Sequence, residues 1–131
     1  MKHAVLSLAG FFILIAIILG AFGAHSLENH LSSDELNSIQ TGIQYQLFHG
    51  LTLLILGFHF DKVNKAKLIT TGIISGTILF SGSIYVLTLD QLLNVNTGFL
   101  WPLTPIGGLV LIFSWLLFAI VNRKNKLGLK L

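Results

Sequence analysis

Hydrophobic positions fall into four long apolar runs that are separated by short polar stretches. The runs cover approximately residues 4–24, 43–60, 68–89 and 104–121, and none of them contains Asp, Glu, Lys or Arg. A bilayer core about 30 Å thick needs roughly 20 apolar residues in a helix, and the strands of membrane barrels alternate apolar and polar residues, which these runs do not. The pattern predicts an all-α membrane protein: one domain over residues 1–131, with four transmembrane helices joined as two hairpins in an antiparallel bundle.

The composition supports a membrane protein and excludes several other classes. Hydrophobic residues make up 53% of the chain and charged residues 10%, whereas a soluble domain usually has about 25% charged residues. Long apolar tracts exclude intrinsic disorder. The chain has no cysteine, which excludes disulfide scaffolds, thiol catalysis and Cys-ligated metal sites.

The positions of the charges predict the orientation in the membrane. All eight basic residues precede the first run, follow the fourth, or lie between the second and third: Lys2, Lys62, Lys65, Lys67, Arg123, Lys124, Lys126 and Lys130. The other two loops carry only acidic charges, from Glu28, Asp34, Glu35 and Asp90. The positive-inside rule therefore predicts the cell (inner) membrane with both termini in the cytoplasm. The net charge of +3 then indicates contact with anionic lipid rather than with nucleic acid.

The first run also has the basic start and small-residue end of a signal peptide. It is longer than the 7–15 apolar residues that are typical of such a peptide. Small residues recur along one face, at Ala9, Ala16, Gly20 and Gly23, and this pattern favours a retained helix that packs closely on another.

The first outer loop contains a helix start signal. Ser32 and Glu35 have the spacing of a capping box, and Leu36 and Ile39 follow at helical spacing. The pattern predicts a short amphipathic helix along the outer interface, with a bend at Gly42 before the second span.

Small residues in the spans predict close helix packing. The candidates are Gly20, Gly23, Gly72, Gly76, Gly82, Gly107 and Gly108. The third span has small or hydroxyl residues on three sides, which indicates a central helix and is compatible with a homo-oligomer or a membrane-protein partner; the alternative is a hydrated path along it. Thr104 is predicted to cap the fourth helix, with Pro105 at its first position. Trp115 lies deep enough to need a hydrogen-bond partner.

Four motifs occur in order along the chain. They are Gly20-Ala21-Phe22-Gly23-Ala24-His25, Tyr45-Gln46-Leu47-Phe48-His49-Gly50-Leu51, Phe80-Ser81-Gly82-Ser83-Ile84-Tyr85 and Thr104-Pro105-Ile106-Gly107-Gly108. Together they closely resemble the small bacterial YgdD/YwdK-like inner-membrane family, domain-of-unknown-function family 423, also called the UPF0382 membrane proteins. The resemblance implies a four-helix membrane protein and carries no catalytic role.

The predicted topology brings the polar motif residues to the outer half of the bilayer. The candidate ligand-binding residues are His25, Tyr45, Gln46, His49, Ser81, Ser83, Tyr85 and Thr104. Two interpretations remain open. These side chains bind a ligand near the outer surface, or they only form the interhelical hydrogen bonds that fix the bundle.

The sequence does not favour an enzyme, a metal site or a cofactor. His25 and His30 are five residues apart, a poor helical spacing for ligands that would join His49. A serine hydrolase pairing Ser81 or Ser83 with His49 would lack an orienting acid and an oxyanion loop. Two function classes remain: a structural or accessory component that binds membrane lipid or a protein partner, and a small-solute transporter or channel that uses the outer polar cluster.

Overall fold

Four α-helices form the described part of the protein in the computed structural model. They are α1 (Lys2–Leu27), α2 (Ser33–Phe58), α3 (Ala66–Leu93) and α4 (Leu103–Val121), with short 3-10 helices at Phe60–Lys62 and Gly98–Leu100. The structure describes residues 1–93 and 96–123, without the side chains of residues 22, 24, 25 and 91–93.

Three segments in the described part of the chain are long and apolar enough to cross a membrane. They are Lys2–Ala21, Ala66–Asp90 and Gly98–Val121, which confirms three of the four predicted spans at this level. The segment that is missing from this set is α2. Its 26 residues include polar side chains such as Gln44, Gln46 and His49, and these lower its mean hydropathy.

Helices α1 and α2 pack through contacts that recur every seven residues. Gly57 faces Leu6, Gly50 faces Ile13, and Gly20 faces Ile43. A Cβ added at Gly57 would lie 2.6 Å from Leu6 Cδ2, and one at Gly50 would lie 2.9 Å from Ile13 Cγ1. Gly50 and Gly57 of α2 therefore each receive a large side chain of α1, and the seven-residue step is that of coiled-coil packing.

Helices α3 and α4 approach even more closely, because small residues from both helices meet. A Cβ at Gly72 would collide with Ser114 Oγ, and one at Gly76 would lie 2.8 Å from Leu111 Cγ. A Cβ at Gly107 would collide with the backbone of α3, including Gly76 O at 2.9 Å. The backbones therefore touch with no side chain between them, as in other small-residue membrane interfaces.

Contacts between the ends of the helices define two ends of the bundle. At one end, here called the lysine end, Lys2 Nζ lies 3.9 Å from Asp61 Oδ2. At the same end Asn64 N–H donates to Asn122 Oδ1 at 3.0 Å, and Asn64 Nδ2 donates to Val121 O at 3.1 Å. The opposite end, here called the loop end, contains the α1–α2 connection and the α3–α4 connection.

The hydrophobic core lies toward the lysine end. Its buried members come from three helices: Val5, Ala9, Phe12, Leu53, Leu56, Ile69 and Ile73. Leu117, Phe118 and Val121 of α4 pack against it. The buried polar residues lie mainly beyond this core, toward the loop end.

Two predicted helix starts differ from the structure. The capping box is confirmed, since the Ser32 hydroxyl accepts from Glu35 N–H and Glu35 Oε2 accepts from Ser32 N–H. However, the helix it starts is α2 itself, so the separate short amphipathic helix is wrong. The predicted bend at Gly42 is also wrong, because this residue lies inside the continuous helix α2. Its missing Cβ leaves room for the Tyr85 ring. Thr104 is not the cap of α4, which begins at Leu103 after Pro102.

The predicted packing glycines fall into two groups. Gly72, Gly76 and Gly107 lie where a Cβ would collide with the neighbouring helix, and Gly108 is in ordinary contact with Phe80. Gly82 is different, because an added Cβ would meet no atom within 4 Å. At Gly20 and Gly23 a Cβ would also be tolerated, at 3.8 Å from Ile43 and 3.9 Å from Leu27 respectively. The closest glycine contacts of α2, at Gly42, Gly50 and Gly57, were not predicted.

Candidate functional site

A chain of hydrogen bonds through Gln46 connects three helices. Gln46 is 6% exposed. Its Nε2 donates to the Phe12 carbonyl of α1 at 2.9 Å, and its Oε1 accepts from the Tyr85 hydroxyl of α3 at 3.0 Å. The Phe12 carbonyl is a backbone group of α1, so the Gln46 amide is hydrogen-bonded to the backbone of that helix. Both ends of the Gln46 amide are therefore bonded within the bundle.

His49 connects α2 to α4 in a similar way. The ring is 7% exposed. Its Nε2 accepts from Trp115 Nε1–H at 3.2 Å, while its Nδ1 lies 2.7 Å from the Tyr45 carbonyl. Because Nε2 accepts, Nδ1 carries the proton and donates, which defines a neutral imidazole in one tautomer. Trp115 thus has the partner that its depth requires, in a residue 66 positions earlier in the chain.

The two serines of the third motif differ. Ser83 Oγ lies 2.7 Å from Thr104 Oγ1 and donates to the Phe80 carbonyl at 3.0 Å, so it connects α3 to α4. Ser81 is 1% exposed, and among the described residues its Oγ is the buried side-chain polar atom without a hydrogen-bond partner. Neither serine is bonded to His49, so the serine–histidine pair of a hydrolase is not formed.

The Tyr45 side chain packs beside this network through its ring. Tyr45 is 42% exposed, and its ring packs 4.5 Å from the Phe80 ring and 6.0 Å from the His49 ring, measured between centroids. The side chain of His25 lies outside the described residues. The structure therefore brings Gln46 together with Tyr85, brings Ser83 together with Thr104, and connects His49 to Trp115, which was not among the predicted site residues.

Described residues line a smaller cavity beside this network and a larger cavity at the loop end. The smaller, about 190 Å³, is lined by α1 and α3 together with Gln46: Phe12, Ile15, Gln46, Thr77, Ile78, Gly82 and Tyr85. The larger, about 420 Å³, lies between α1 and α2 at the loop end. Its lining residues are Gly20, Gly23, Glu28, Leu36, Ile39, Gln40, Ile43 and Gln44. The small-residue pattern predicts helix packing at Gly20 and Gly23 and carries no signal of a cavity there.

The larger cavity lies at the acidic end of the molecule. The stretch from residue 3 to residue 61 contains no Lys or Arg, while it contains Glu28, Asp34 and Glu35. Hydrogen bonds from the Ser32 hydroxyl and from its backbone N–H lower the pKa of the Glu35 carboxyl. Glu35 therefore stays ionised at a lower pH than an ordinary glutamate, and the negative charge of this end persists.

Apolar helices, an uncharged hydrogen-bonded interior and cavities at the helix surfaces define an all-helical membrane protein with internal polar contacts. The model of the family described as "Protein of unknown function (DUF423)" matches residues 19–108, a range that contains all four sequence motifs. The chain belongs to this family, and the resemblance found in its motifs is confirmed.

The relatives are membrane proteins as well. The UPF0382 membrane protein YwdK of Bacillus subtilis is 37% identical over 114 residues, which is 85% of this chain and 89% of the relative. A UPF0382 membrane protein of Haemophilus influenzae is 36% identical over 121 residues, 92% of this chain and 91% of the relative. The UPF0382 inner membrane protein YgdD of Escherichia coli is 37% identical over 119 residues, 86% and 85% respectively. No solved structure matches the chain.

Proposed function

We propose that this protein is a non-enzymatic accessory component of the cell membrane that binds a membrane lipid. Its buried polar residues hold the helices together, and its lipid site is a cavity at the helix surface. The observation that carries this proposal is that buried polar side chains are hydrogen-bonded to other groups of the protein. Gln46 uses both ends of its amide, and His49 uses both ring nitrogens, on other groups of the protein. Hydrogen bonds that are satisfied in this way stabilise helix association, by about 0.6 kcal/mol each on average.

A four-span antiparallel bundle is part of the proposal, although α2 is the least apolar helix. Support comes from the ion pair between Lys2 and Asp61, because it requires α2 to return along the full length of α1. Support also comes from the contact of Gly20 with Ile43 near the other end of the same pair. The polar side chains that lower the hydropathy of α2 include Gln46 and His49, which are buried and need not face lipid.

The proposed orientation has the lysine end in the cytoplasm. Because the chain has no cysteine, single cysteines can report it. In intact cells, a membrane-impermeant maleimide is expected to label a cysteine at Asn29, and to label one at Lys62 only after the membrane is opened. The reverse pattern would refute the orientation. Labelling of both positions in intact cells would refute the proposed topology.

Lipid binding is tested by native mass spectrometry of the protein released from mild detergent. The proposal predicts a retained lipid of defined mass on each chain. A fully delipidated protein that remains folded would contradict it. A homo-oligomer or a protein partner, if one exists, would be detected in the same spectra by its mass.

The second candidate function is movement of a small solute through the bundle. The observation that favours it is the unpartnered hydroxyl of Ser81, because a buried polar group without a partner costs free energy unless something binds it. Flux assays in proteoliposomes test this candidate. Solute flux that is abolished by His49→Ala would establish it in place of the accessory role, and absence of flux for the solutes tried would leave the accessory role favoured.

A further inference from the structure

Two glycines of α1 lie beside α2 without a packing reason for being glycine. A Cβ at Gly20 would lie 3.8 Å from Ile43 Cγ2, which is ordinary contact, and one at Gly23 would lie 3.9 Å from Leu27 Cδ1 of its own helix. By contrast, Gly50 and Gly57 of α2 accept α1 side chains at distances that exclude a Cβ. Glycine is a poor helix former compared with alanine. The contact between the two helices therefore does not explain why positions 20 and 23 are glycine.

Both glycines line the cavity of about 420 Å³ between α1 and α2. Its volume lies within the range of roughly 300–1,000 Å³ that is typical of small-molecule sites. Gln40 and Gln44, which also line it, are exposed, so the cavity opens to the surroundings. An added side chain at Gly23 would occupy part of this space.

The walls of the cavity are amphiphilic. Leu36, Ile39 and Ile43 form an apolar stripe along α2 that extends about 10 Å at 1.5 Å per residue. Glu28, which ends α1, supplies a carboxylate on the loop side of the same cavity. The stripe matches a hydrocarbon chain that enters from the apolar layer, and the carboxylate lies where the head group of such a molecule would be.

The charge at this end selects the head group. Asp34 and Glu35 lie nearby in the chain, and the loop contains His30 but no Lys or Arg. Among the described residues, the only ion pair involves Lys2 and Asp61, at the opposite end. An anionic head group would be repelled here, whereas a positive one would meet the carboxylate of Glu28.

We propose that the cavity between α1 and α2 binds an amphiphile with one hydrocarbon chain in the apolar stripe and a positively charged ammonium head at Glu28. This inference rests on the proposed lipid-binding function and names the chemistry of its ligand. The glycines at positions 20 and 23 provide the room, and the acidic loop provides the selectivity for charge.

Calorimetric titration of the purified protein in dodecyl maltoside micelles tests the proposal, with dodecyltrimethylammonium as the probe. The uncharged maltoside has a chain of the same length and is present in excess, so saturable binding of the probe above protein-free micelles measures the preference for the ammonium head. One probe per chain is expected. Glu28→Gln is expected to weaken binding about tenfold, which corresponds to about 1.4 kcal/mol, and Gly23→Leu is expected to abolish it.

Two matched variants control for general effects. Asp34→Asn removes a carboxylate from the same end but not from the cavity, and Gly10→Leu adds the same side chain to α1 at a position with no atom within 4 Å of its Cβ. Both are expected to bind the probe with a Kd within about twofold of that of the unchanged protein, a difference of about 0.4 kcal/mol in binding free energy. If Gly23→Leu does not fold, Glu28→Gln still decides the question.

Displacement experiments distinguish the source of the ligand. Displacement of the probe by phosphatidylethanolamine but not by phosphatidylglycerol identifies a lipid head group, whereas displacement by neither identifies a free single-chain amphiphile. No saturable binding, or equal binding by Glu28→Gln, would overturn the proposal. In that case a lipid still retained in native mass spectra would leave the broader lipid-binding function standing, and its absence would remove both.

Discussion

Replacing Gly107 by alanine tests the close approach of α3 and α4. The added Cβ would collide with the backbone N of Phe80 and would lie 2.9 Å from both Gly76 O and Leu79 C. These are backbone atoms, which cannot move aside by changing a rotamer, so α3 and α4 must separate. Overpacking of this kind costs about 1–3 kcal/mol, and we take the upper value. Alanine regains about 1 kcal/mol of helix propensity, which leaves a net loss of about 2 kcal/mol in the free energy of unfolding.

The adjacent Gly108 provides the matched control. A Cβ there would lie 3.7 Å from the Phe80 ring, an ordinary contact, so Gly108→Ala is expected to be neutral or to stabilise by up to about 1 kcal/mol. Reversible unfolding of both variants in mixed micelles, followed by circular dichroism, measures the difference. If Gly107→Ala is as stable as Gly108→Ala, the close approach of α3 and α4 is refuted.

Three further predictions concern the polar contacts. Trp115→Phe leaves the buried Nε2 of His49 without its donor and is expected to lower the free energy of unfolding by about 0.6–1.7 kcal/mol, measured by the same unfolding assay; no loss would contradict the bond. Asn64→Ala removes the side-chain hydrogen bond from Asn64 Nδ2 to the Val121 carbonyl at the end of α4, so hydrogen exchange at that helix end is expected to accelerate, and unchanged exchange would count against the tether. Ser32→Ala removes the hydroxyl half of the capping box and is expected to cost about 1 kcal/mol. It should also raise the pKa of Glu35 in a carboxyl NMR titration, because the hydrogen bond from the Ser32 hydroxyl is the largest cause that lowers it. The stabilising contribution of the Glu35 carboxylate is present above its unfolded pKa of about 4.3 and is lost as the pH falls through the lowered folded value, and a Glu35 pKa that is unchanged by Ser32→Ala would refute the cap.

Local signals in the sequence predicted three apolar spans and one helix start correctly. The runs of 18 or more uncharged apolar residues depend only on composition, and the Ser32–Glu35 box depends on residues three positions apart. The continuation of this helix through Gly42 could not be predicted in the same way. Gly42 has the appearance of a break, but it provides room for Tyr85 of another helix, and that contact is not visible in the local pattern.

The sequence predicted which residues belong to the candidate site. The hydrogen bonds that join them across helices are seen only in the structure. Trp115 was expected to need a partner, yet the partner, His49, lies on a different helix. Gly50 and Gly57 lie seven residues apart in the sequence. This spacing is a signal for the α1–α2 contact, and it was not used to predict that contact. Gly20 and Gly23 looked like the same kind of packing residue, and only the distances around them separate a helix contact from a cavity.

The central claim is that the buried polar residues stabilise the bundle while the lipid binds elsewhere. His49→Ala tests it most directly, with native mass spectrometry and thermal unfolding applied to the same purified sample. The account predicts a lower unfolding temperature and unchanged retention of lipid, because His49 is bonded to Tyr45 and Trp115 and does not line the larger cavity. Loss of the bound lipid with an unchanged unfolding temperature would contradict it.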